Sequence, residues 1–310
     1  MPEAVPDYAP LCAPPDRDPR GPRTPFPALT CDTHAHIVGP AARFPYVKER
    51  IYTPPDSTHD DYLKLLAALG VERAVLVQPS VYGTDNAAML DAMRRFGPGV
   101  RAVAVTEPSV SKTEIKAFHE AGVRGLRFNV VDRREDKNVV PAAMLRDVAK
   151  RIAPFGWHIE LLVNVDEARD FARVMADIPV PIVLGHLGYP KSGARHWTKS
   201  AAFAGMLRLI DKGRCWIKLT GPYRITDSAD VPYDDVDAAA HALVAAAPQR
   251  LVWGTDWPHV MKKKPMANDG ELADLVERWI PDARIRARIL VDNPAELYGF
   301  EANERIRPPT

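Results

Sequence analysis

The fold of this 310-residue chain is constrained most by a regular alternation of short apolar, β-branched runs with longer amphipathic runs of helical period. Helices that follow strands in this way carry the chain back across a sheet, so the pattern predicts a parallel sheet covered by helices. The strand-like runs lie at residues 28–32, 73–77, 100–105, 123–128, 157–163, 180–184, 215–219 and 250–253. The helix-like runs lie at residues 59–69, 85–96, 111–121, 142–152, 166–176, 199–210, 234–246 and 270–280.

Eight strand–helix units between residues 28 and 310 predict a (β/α)8 TIM barrel. A doubly wound open sheet is the alternative. It is disfavoured because no G-x-G-x-x-G motif follows the first strand-like run. Two further short helices, near residues 282–290 and 294–298, are expected to cover the end of the barrel.

The segment before the barrel, residues 1–27, contains nine of the thirty prolines of the chain. Proline fixes φ and removes a backbone donor, so this stretch cannot form a helix or a central strand. We therefore expect an extended, proline-rich arm that lies on the surface of the barrel or on a neighbouring subunit. The second possibility leaves a homo-oligomer open.

Composition excludes several classes of function. The 41 Lys and Arg residues nearly balance the 40 Asp and Glu residues, which predicts no binding to nucleic acid or to an anionic membrane. There is no apolar run of membrane-spanning length and no apolar core of a signal peptide near the start, so we expect a cytoplasmic protein. Three scattered cysteines, Cys12, Cys31 and Cys215, predict no disulfide framework.

The residues suited to chemistry stand where strands end, which is where the sites of TIM-barrel enzymes lie. The first strand ends in Asp32-Thr33-His34-Ala35-His36, and the period of two predicts that Asp32, His34 and His36 point the same way. His186 ends the sixth strand, and Asp256 follows the eighth. Three imidazoles and one carboxylate suit a hydrolytic centre, and they could bind one divalent ion such as zinc.

Four sequence segments carry a resemblance to the amidohydrolase superfamily. They are D-T-H-A-H at 32–36, G-H-L-G-Y-P at 185–190, G-T-D-W-P-H at 254–259 and N-P-A-E-L-Y at 293–298. Within the superfamily they are most similar to the amidohydrolase 2 branch that contains 2-pyrone-4,6-dicarboxylate lactonase. The resemblance runs from about residue 31 to residue 300. It implies a TIM-barrel hydrolase that opens the ring ester of a carboxylated lactone in the breakdown of aromatic compounds.

The resemblance also implies roles for the residues at the strand ends. His34, His36, His186 and Asp256 are expected to be catalytic, with Asp256 as the base. If a metal such as zinc or manganese is bound, the same four residues are its expected ligands, although the lactonase branch is associated with hydrolysis without a metal. Relatives with two metals carry a bridging lysine on strand four. Arg127 stands there and cannot be a ligand, so a two-metal centre is not expected.

A second set of residues matches positions that bind the carboxylates of the substrate. Arginine suits this task because its planar fork can hold a carboxylate through two hydrogen bonds. His259 is expected to assist on the leaving-group side. This chain departs from the lactonase at two positions. It has Leu162 where the lactonase has a tyrosine, and it has Tyr189 where a basic residue is common. The expected binding residues are Tyr52, Ser80, Arg127, Arg133, Arg224 and His259.

Three other functions stay open from the sequence. A metal-dependent decarboxylase and a sugar-lactone isomerase would use nearly the same residues on the same fold. A barrel that binds an anionic metabolite without catalysis is the third, and the complete set of catalytic residue types argues against it.

Overall fold

The computed structural model describes residues 9–132, 138–262 and 264–307. Its eight strands are all parallel and are hydrogen-bonded in sequence order, which confirms the predicted (β/α)8 barrel and excludes the open doubly wound sheet. The strands are β1 (Cys31–Ala35), β2 (Arg73–Val77), β3 (Val100–Ala104), β4 (Val123–Asn129), β5 (His158–Leu162), β6 (Ile182–Leu184), β7 (Cys215–Leu219) and β8 (Leu251–Trp253).

The helices lie outside the strands, and all of the longer ones bury apolar residues against the barrel. In the first helix Tyr62, Leu65 and Leu69 recur at helical spacing and are buried, and Gly70 ends the helix with a φ of 69°. The helices are α1 (His59–Leu69), α2 (Ala87–Phe96), α3 (Lys112–Glu120), α4 (Ala142–Ile152), α5 (Phe171–Ala176), α6 (Ala201–Asp211), α7 (Asp237–Ala246), α8 (Asp269–Trp279), α9 (Ala283–Ala287) and α10 (Asn293–Tyr298), with a π-helical turn at Arg288–Asp292 between the last two.

Two of the predicted boundaries that differ from the structure were wrong for clear local reasons. The first strand begins at Cys31 rather than at residue 28, because the chain turns at Leu29, whose φ is 66°, and the Thr30 amide donates to the Pro27 carbonyl. Helix α5 begins at Phe171 rather than at residue 166. The Asp166 carboxylate instead accepts hydrogen bonds from two backbone amides of the loop after β6, those of residues 191 and 192.

Strand β1 contains an extra residue. Its pairing with β2 runs Cys31 to Arg73 and Asp32 to Ala74, and resumes at Ala35 to Leu76, so three steps on β1 match two on β2. An extra residue reverses which face the following side chains occupy. The prediction that Asp32 shares a face with His34 was therefore wrong: Asp32 points towards α1.

The Asp32 carboxylate closes the barrel between β1 and the chain that follows β8. One oxygen accepts hydrogen bonds from the amides of His34 (3.0 Å) and Thr255 (2.9 Å). The other accepts from the Thr255 hydroxyl (2.5 Å) and from the Tyr62 hydroxyl on α1 (2.8 Å). Asp32 is fully buried, so these four donors replace the water that its charge would otherwise need.

Backbone hydrogen bonds complete the closure on the same side. The Asp256 amide donates to the His34 carbonyl, and the His36 amide donates to the Trp257 carbonyl, each at 2.8 Å. Gly254 is required at this point, because a Cβ there would lie 2.6 Å from the backbone nitrogen of His34. The closure fixes the spacing between the H-x-H pair and Asp256.

The described part of the arm, from residue 9 to residue 27, lies against the barrel of the same chain. Arg20 forms an ion pair with Asp274 of α8 at 2.8 Å. Closer to the barrel mouth, the Cys12 amide donates to the Thr53 carbonyl at 2.9 Å and the Ala13 amide donates to the Lys262 carbonyl at 2.7 Å. The arm thereby connects the loop after β1 with the loop after β8. Within the described ranges, no helix combines the length and the apolar character needed to cross a bilayer.

We expect Tyr62→Phe to lower the free energy of unfolding by about 1.5–3 kcal/mol, since it removes a donor to a buried carboxylate. Tyr46→Phe is the matched control, because its hydroxyl donates to the neutral carbonyl of Pro54 at 3.1 Å and should contribute only about 0.5–1.5 kcal/mol. Urea denaturation of both variants measures the difference. Equal losses would show that Asp32 does not depend on Tyr62.

Candidate active site

Three histidines and an aspartate converge at the C-terminal end of the barrel, as the sequence predicted. His34 lies in β1 and His36 directly after it, while His186 follows β6 and Asp256 follows β8. The Asp256 Oδ1 atom lies 3.7 Å from His34 Nε2 and 4.0 Å from His36 Nε2. The rings of His34 and His186 are 5.5 Å apart between centroids. All four side chains are at most 3% exposed.

The two oxygens of Asp256 have different surroundings. Oδ2 accepts hydrogen bonds from the Tyr223 hydroxyl (2.5 Å) and from Arg224 Nε (2.6 Å), whereas Oδ1 is buried without a partner and faces the histidines. Burial by itself raises the pKa of Asp256, but the Arg224 guanidinium, together with His186 and His36, outweighs burial, and the pKa lies well below its usual range. Asp256 is therefore a carboxylate with one free oxygen.

His36 and His186 are neutral at pH 7. Burial lowers the pKa of each to about 3, helped by Arg127 for His36 and by Arg224 for His186. His36 Nδ1 lies 2.7 Å from the Val77 carbonyl, which can only accept, so the proton of His36 is on Nδ1 and its Nε2 presents a lone pair. His186 Nδ1 lies 3.0 Å from the Thr220 hydroxyl.

His34 contacts a buried ion pair that the sequence analysis missed. Lys218 on β7 lies 2.6 Å from Glu160 Oε2 on β5, and its Nζ is 3.2 Å from His34 Nδ1. Burial lowers the pKa of Lys218, and Glu160 opposes that shift. Burial, with Lys218 next, holds the pKa of His34 well below its usual range. One sequence feature could have indicated this ion pair: the strands H-I-E-L-L and C-W-I-K-L each contain one charged residue among apolar neighbours.

Tyr223 connects Asp256 to His259, a second network that the sequence analysis did not identify. The Tyr223 hydroxyl is 3.0 Å from His259 Nδ1, and His259 Nε2 is 3.0 Å from Asp269 Oδ1. His259 is 1% exposed, and it stands behind Tyr223 instead of lining the cavity next to Asp256. The structure thus places His259 where it can orient Tyr223 and, through it, Asp256.

A cavity next to Asp256 brings together most of the predicted binding residues. Tyr52 and Ser80 meet on one side, with 3.4 Å between their hydroxyl oxygens. Arg127 donates from one terminal nitrogen to the Gln78 carbonyl at 3.0 Å, and its Nε is buried without a partner. The predicted residue Arg133 lies outside the described residues. The cavity is lined by His36, Tyr52, Ser80, Arg127, Asp132, Leu162, His186, Tyr189, Arg224, Asp256, Val260 and Met261.

The backbone around the site is strained. His186, Asp256 and His259 have φ values of 53°, 64° and 61°, in the left-handed region that non-glycine residues seldom occupy. Such conformations cost roughly 1–3 kcal/mol each and are concentrated at functional sites. Gly221, with φ 55°, allows close approach, since a Cβ there would lie 2.8 Å from both Asp256 Oδ2 and His186 Nδ1.

The site has the spacing for one divalent ion. Ligand atoms of His34, His36 and Asp256 all lie within 4.8 Å of one another, while His186, the fourth predicted ligand, is not part of this group. His36 and Asp256 each present a free lone pair. His34 fits less well, because its Nδ1 faces the ammonium group of Lys218. The geometry thus admits one ion but does not identify it.

Comparison with known proteins agrees with this geometry. Residues 31–300 match the family described as amidohydrolase. The chain belongs to the amidohydrolase family. That span covers all eight strands and every residue of the Asp256 site.

Named relatives cover nearly the whole chain. 4-Sulfomuconolactone hydrolase of Rhizobium radiobacter is 37% identical over 92% of this chain and 96% of its own length. 2-Pyrone-4,6-dicarboxylate hydrolase of Comamonas testosteroni is 35% identical over 91% and 93%. The crystal structure of a putative 2-pyrone-4,6-dicarboxylic acid hydrolase from Pseudomonas putida superposes with a TM-score of 0.77, at 31% identity over 89% of this chain and 100% of that one.

Proposed function

We propose that this amidohydrolase opens the ring ester of a carboxylated lactone, of the 2-pyrone-4,6-dicarboxylate or muconolactone type, in the breakdown of aromatic compounds. The observation that carries the proposal is the unpartnered Asp256 Oδ1, which faces two imidazoles at the edge of a cavity that also contains Arg127. The relatives that hydrolyse 4-sulfomuconolactone and 2-pyrone-4,6-dicarboxylate support it.

Asp256 Oδ1 acts as the base for the attacking water. The water oxygen bonds to the lactone carbonyl carbon, and its proton passes to Oδ1. The ring C–O bond then breaks, and the proton from Asp256 goes to the leaving oxygen. The lone pair of His36 Nε2, 4.0 Å from Oδ1, can accept the second hydrogen of the water and orient it.

A carboxylate with a lowered pKa is a weak base, so the carbonyl must be strongly polarised for the attack to proceed. His36 cannot polarise it, because its only N–H group donates to Val77. This task falls to His34 and His186, whose neutral imidazoles can each donate one N–H group to the developing oxyanion. Tyr223 and Arg224 hold Oδ2 and thereby keep Oδ1 directed at the water.

The cationic side of the cavity binds the carboxylates of the substrate. Arg127 has a buried Nε without a partner, and Tyr52 and Ser80 add hydroxyl donors beside it. Arg224 directs its Nε to Asp256, so it contributes to substrate binding only through its remaining nitrogens. Leu162 and Tyr189 line the same cavity and form the part of its wall that contacts the uncharged part of the substrate ring.

We include in the proposal that lactone opening needs no metal. Support comes from Lys218 beside His34, which disfavours His34 as a ligand, and from the hydrogen-bond donors that can stabilise the oxyanion without an ion. The proposal also retains the cytoplasmic location and the division between an arm at 1–27 and a barrel at 28–310. The arm contacts at Asp274 and Thr53 are consistent with that division.

We expect Asp256→Asn to lower kcat for a carboxylated lactone by about 10²–10⁴-fold, because the amide cannot accept the proton of the water. Asp132→Asn is the matched control, a carboxylate that lines the same cavity and pairs with Asn129 instead of a catalytic group. Proton release measures ring opening, and an assay for CO2 separates it from decarboxylation. A residual rate above about one tenth of wild type would assign the base elsewhere.

We expect Arg127→Met to lower kcat/KM for a dicarboxylated lactone by about 10–150-fold, the value of one charge-assisted hydrogen bond in a buried site. A neutral lactone should be affected much less. Arg124→Met is the control on the same strand, since Arg124 donates to the His119 carbonyl away from the cavity. A similar loss with both substrates would make Arg127 a structural residue.

Elemental analysis of the purified protein should find at most one metal ion per chain, and exhaustive chelation should leave lactone opening intact. Two ions per chain would contradict the inference that Arg127, which lies on β4 and cannot act as a ligand, excludes a two-metal centre. If chelation abolished the activity and zinc or manganese restored it, the metal-free mechanism would be wrong and decarboxylation would need to be tested first.

A further inference from the structure

The amino group of Lys218 has three acceptors around it. The Thr33 carbonyl lies at 2.6 Å, Glu160 Oε2 at 2.6 Å and His34 Nδ1 at 3.2 Å. A lysine ammonium has three N–H groups and no lone pair. The Thr33 carbonyl and His34 Nδ1 have hydrogen-bond geometry towards this ammonium, so one of its hydrogens points at the imidazole of His34. Glu160 Oε2 is paired with it by charge and has no hydrogen-bond partner of its own.

An ammonium can only donate, so His34 Nδ1 must present its lone pair to Lys218. A neutral imidazole carries one proton, which then resides on Nε2. His34 Nε2 is buried, has no partner and lies 3.7 Å from Asp256 Oδ1. In His36 the arrangement is reversed, because the Val77 carbonyl requires the proton on Nδ1.

We propose that Lys218, anchored by Glu160, is a positioning residue that fixes the proton of His34 on Nε2. It thereby converts a histidine at a metal-ligand position into a hydrogen-bond donor aimed at the reacting carbonyl. The assignment of the carbonyl as the acceptor rests on the proposed function, whereas the position of the proton does not.

The fixed proton has a second consequence, which concerns metal binding. A protonated Nε2 has no lone pair for an ion, so only two of the three clustered groups, His36 and Asp256, remain able to bind one. If the charge of Lys218 is removed, His34 is free to exchange tautomers and present Nε2 as a ligand. The Lys218 ammonium thus sets the choice between a donor site and a metal site.

The first test is a long-range ¹H–¹⁵N correlation spectrum of the wild-type protein labelled with ¹⁵N-histidine. With nine histidines in the chain, the resonances can be assigned by single substitutions. We expect the proton of His34 on Nε2 and that of His36 on Nδ1. A proton on His34 Nδ1, directed at Glu160 Oε1 3.4 Å away, would overturn the proposal.

The second test uses Lys218→Met combined with Glu160→Gln, which removes both charges and leaves neither ion buried alone. We expect the proton of His34 to be distributed over both nitrogens, zinc to bind at least tenfold more tightly by calorimetry, and kcat for a carboxylated lactone to fall about 10²–10³-fold with little change in KM.

The control for the second test is Lys262→Met, because Lys262 donates to the Tyr223 carbonyl and contacts none of the histidines. It should leave the tautomers and the zinc affinity unchanged. An unchanged His34 tautomer in the double variant would overturn the role of Lys218. Neither the spectrum nor the zinc titration needs a lactone, so failure of the proposed function alone would leave both results intact.

Discussion

The barrel mouth depends on a carboxylate that takes no part in the chemistry. Asp32 accepts four hydrogen bonds, and through them it joins β1 to the segment after β8 and to α1. Since His34 follows Asp32 by two residues and Asp256 follows Thr255 by one, the same contacts fix the distance between histidine and aspartate. Barrel closure and active-site geometry are therefore one constraint.

Four buried charged residues in this site form two neutral pairs, one below the histidines and one beside them. Lys218 and Glu160 pair below the histidines, and Arg224 and Asp256 pair beside them. Burying an isolated ion costs several kcal/mol, and pairing removes much of that penalty. The neutral imidazole of His34 lies between the two pairs, within reach of Lys218 on one nitrogen and of Asp256 on the other. The pairs orient the ring without giving it a charge.

Sequence reasoning reached the fold and the main histidines because both follow from periodicity. Once eight strands alternate with helices, the barrel brings His186 and Asp256 to one end. The face of Asp32 was not predictable in this way, since one extra residue in β1 reverses the alternation and leaves no mark in the hydrophobic pattern. Lys218 lies in an apolar strand, and only the three-dimensional pairing shows that its partner is Glu160. Long-range pairing of buried charges is information that a local pattern does not contain.

The arm connects the loop that contains Thr53 to the loop that contains Lys262. Parts of the chain that are distant in sequence therefore determine the shape of the cavity together. Tyr52 and Met261 line that cavity, and each is next to a residue whose backbone carbonyl accepts a hydrogen bond from the arm. Any widening of the gap between these loops must break those bonds or carry the arm with it. The width of this part of the cavity therefore depends on backbone contacts made by residues 12 and 13, far along the chain from every residue of the Asp256 site.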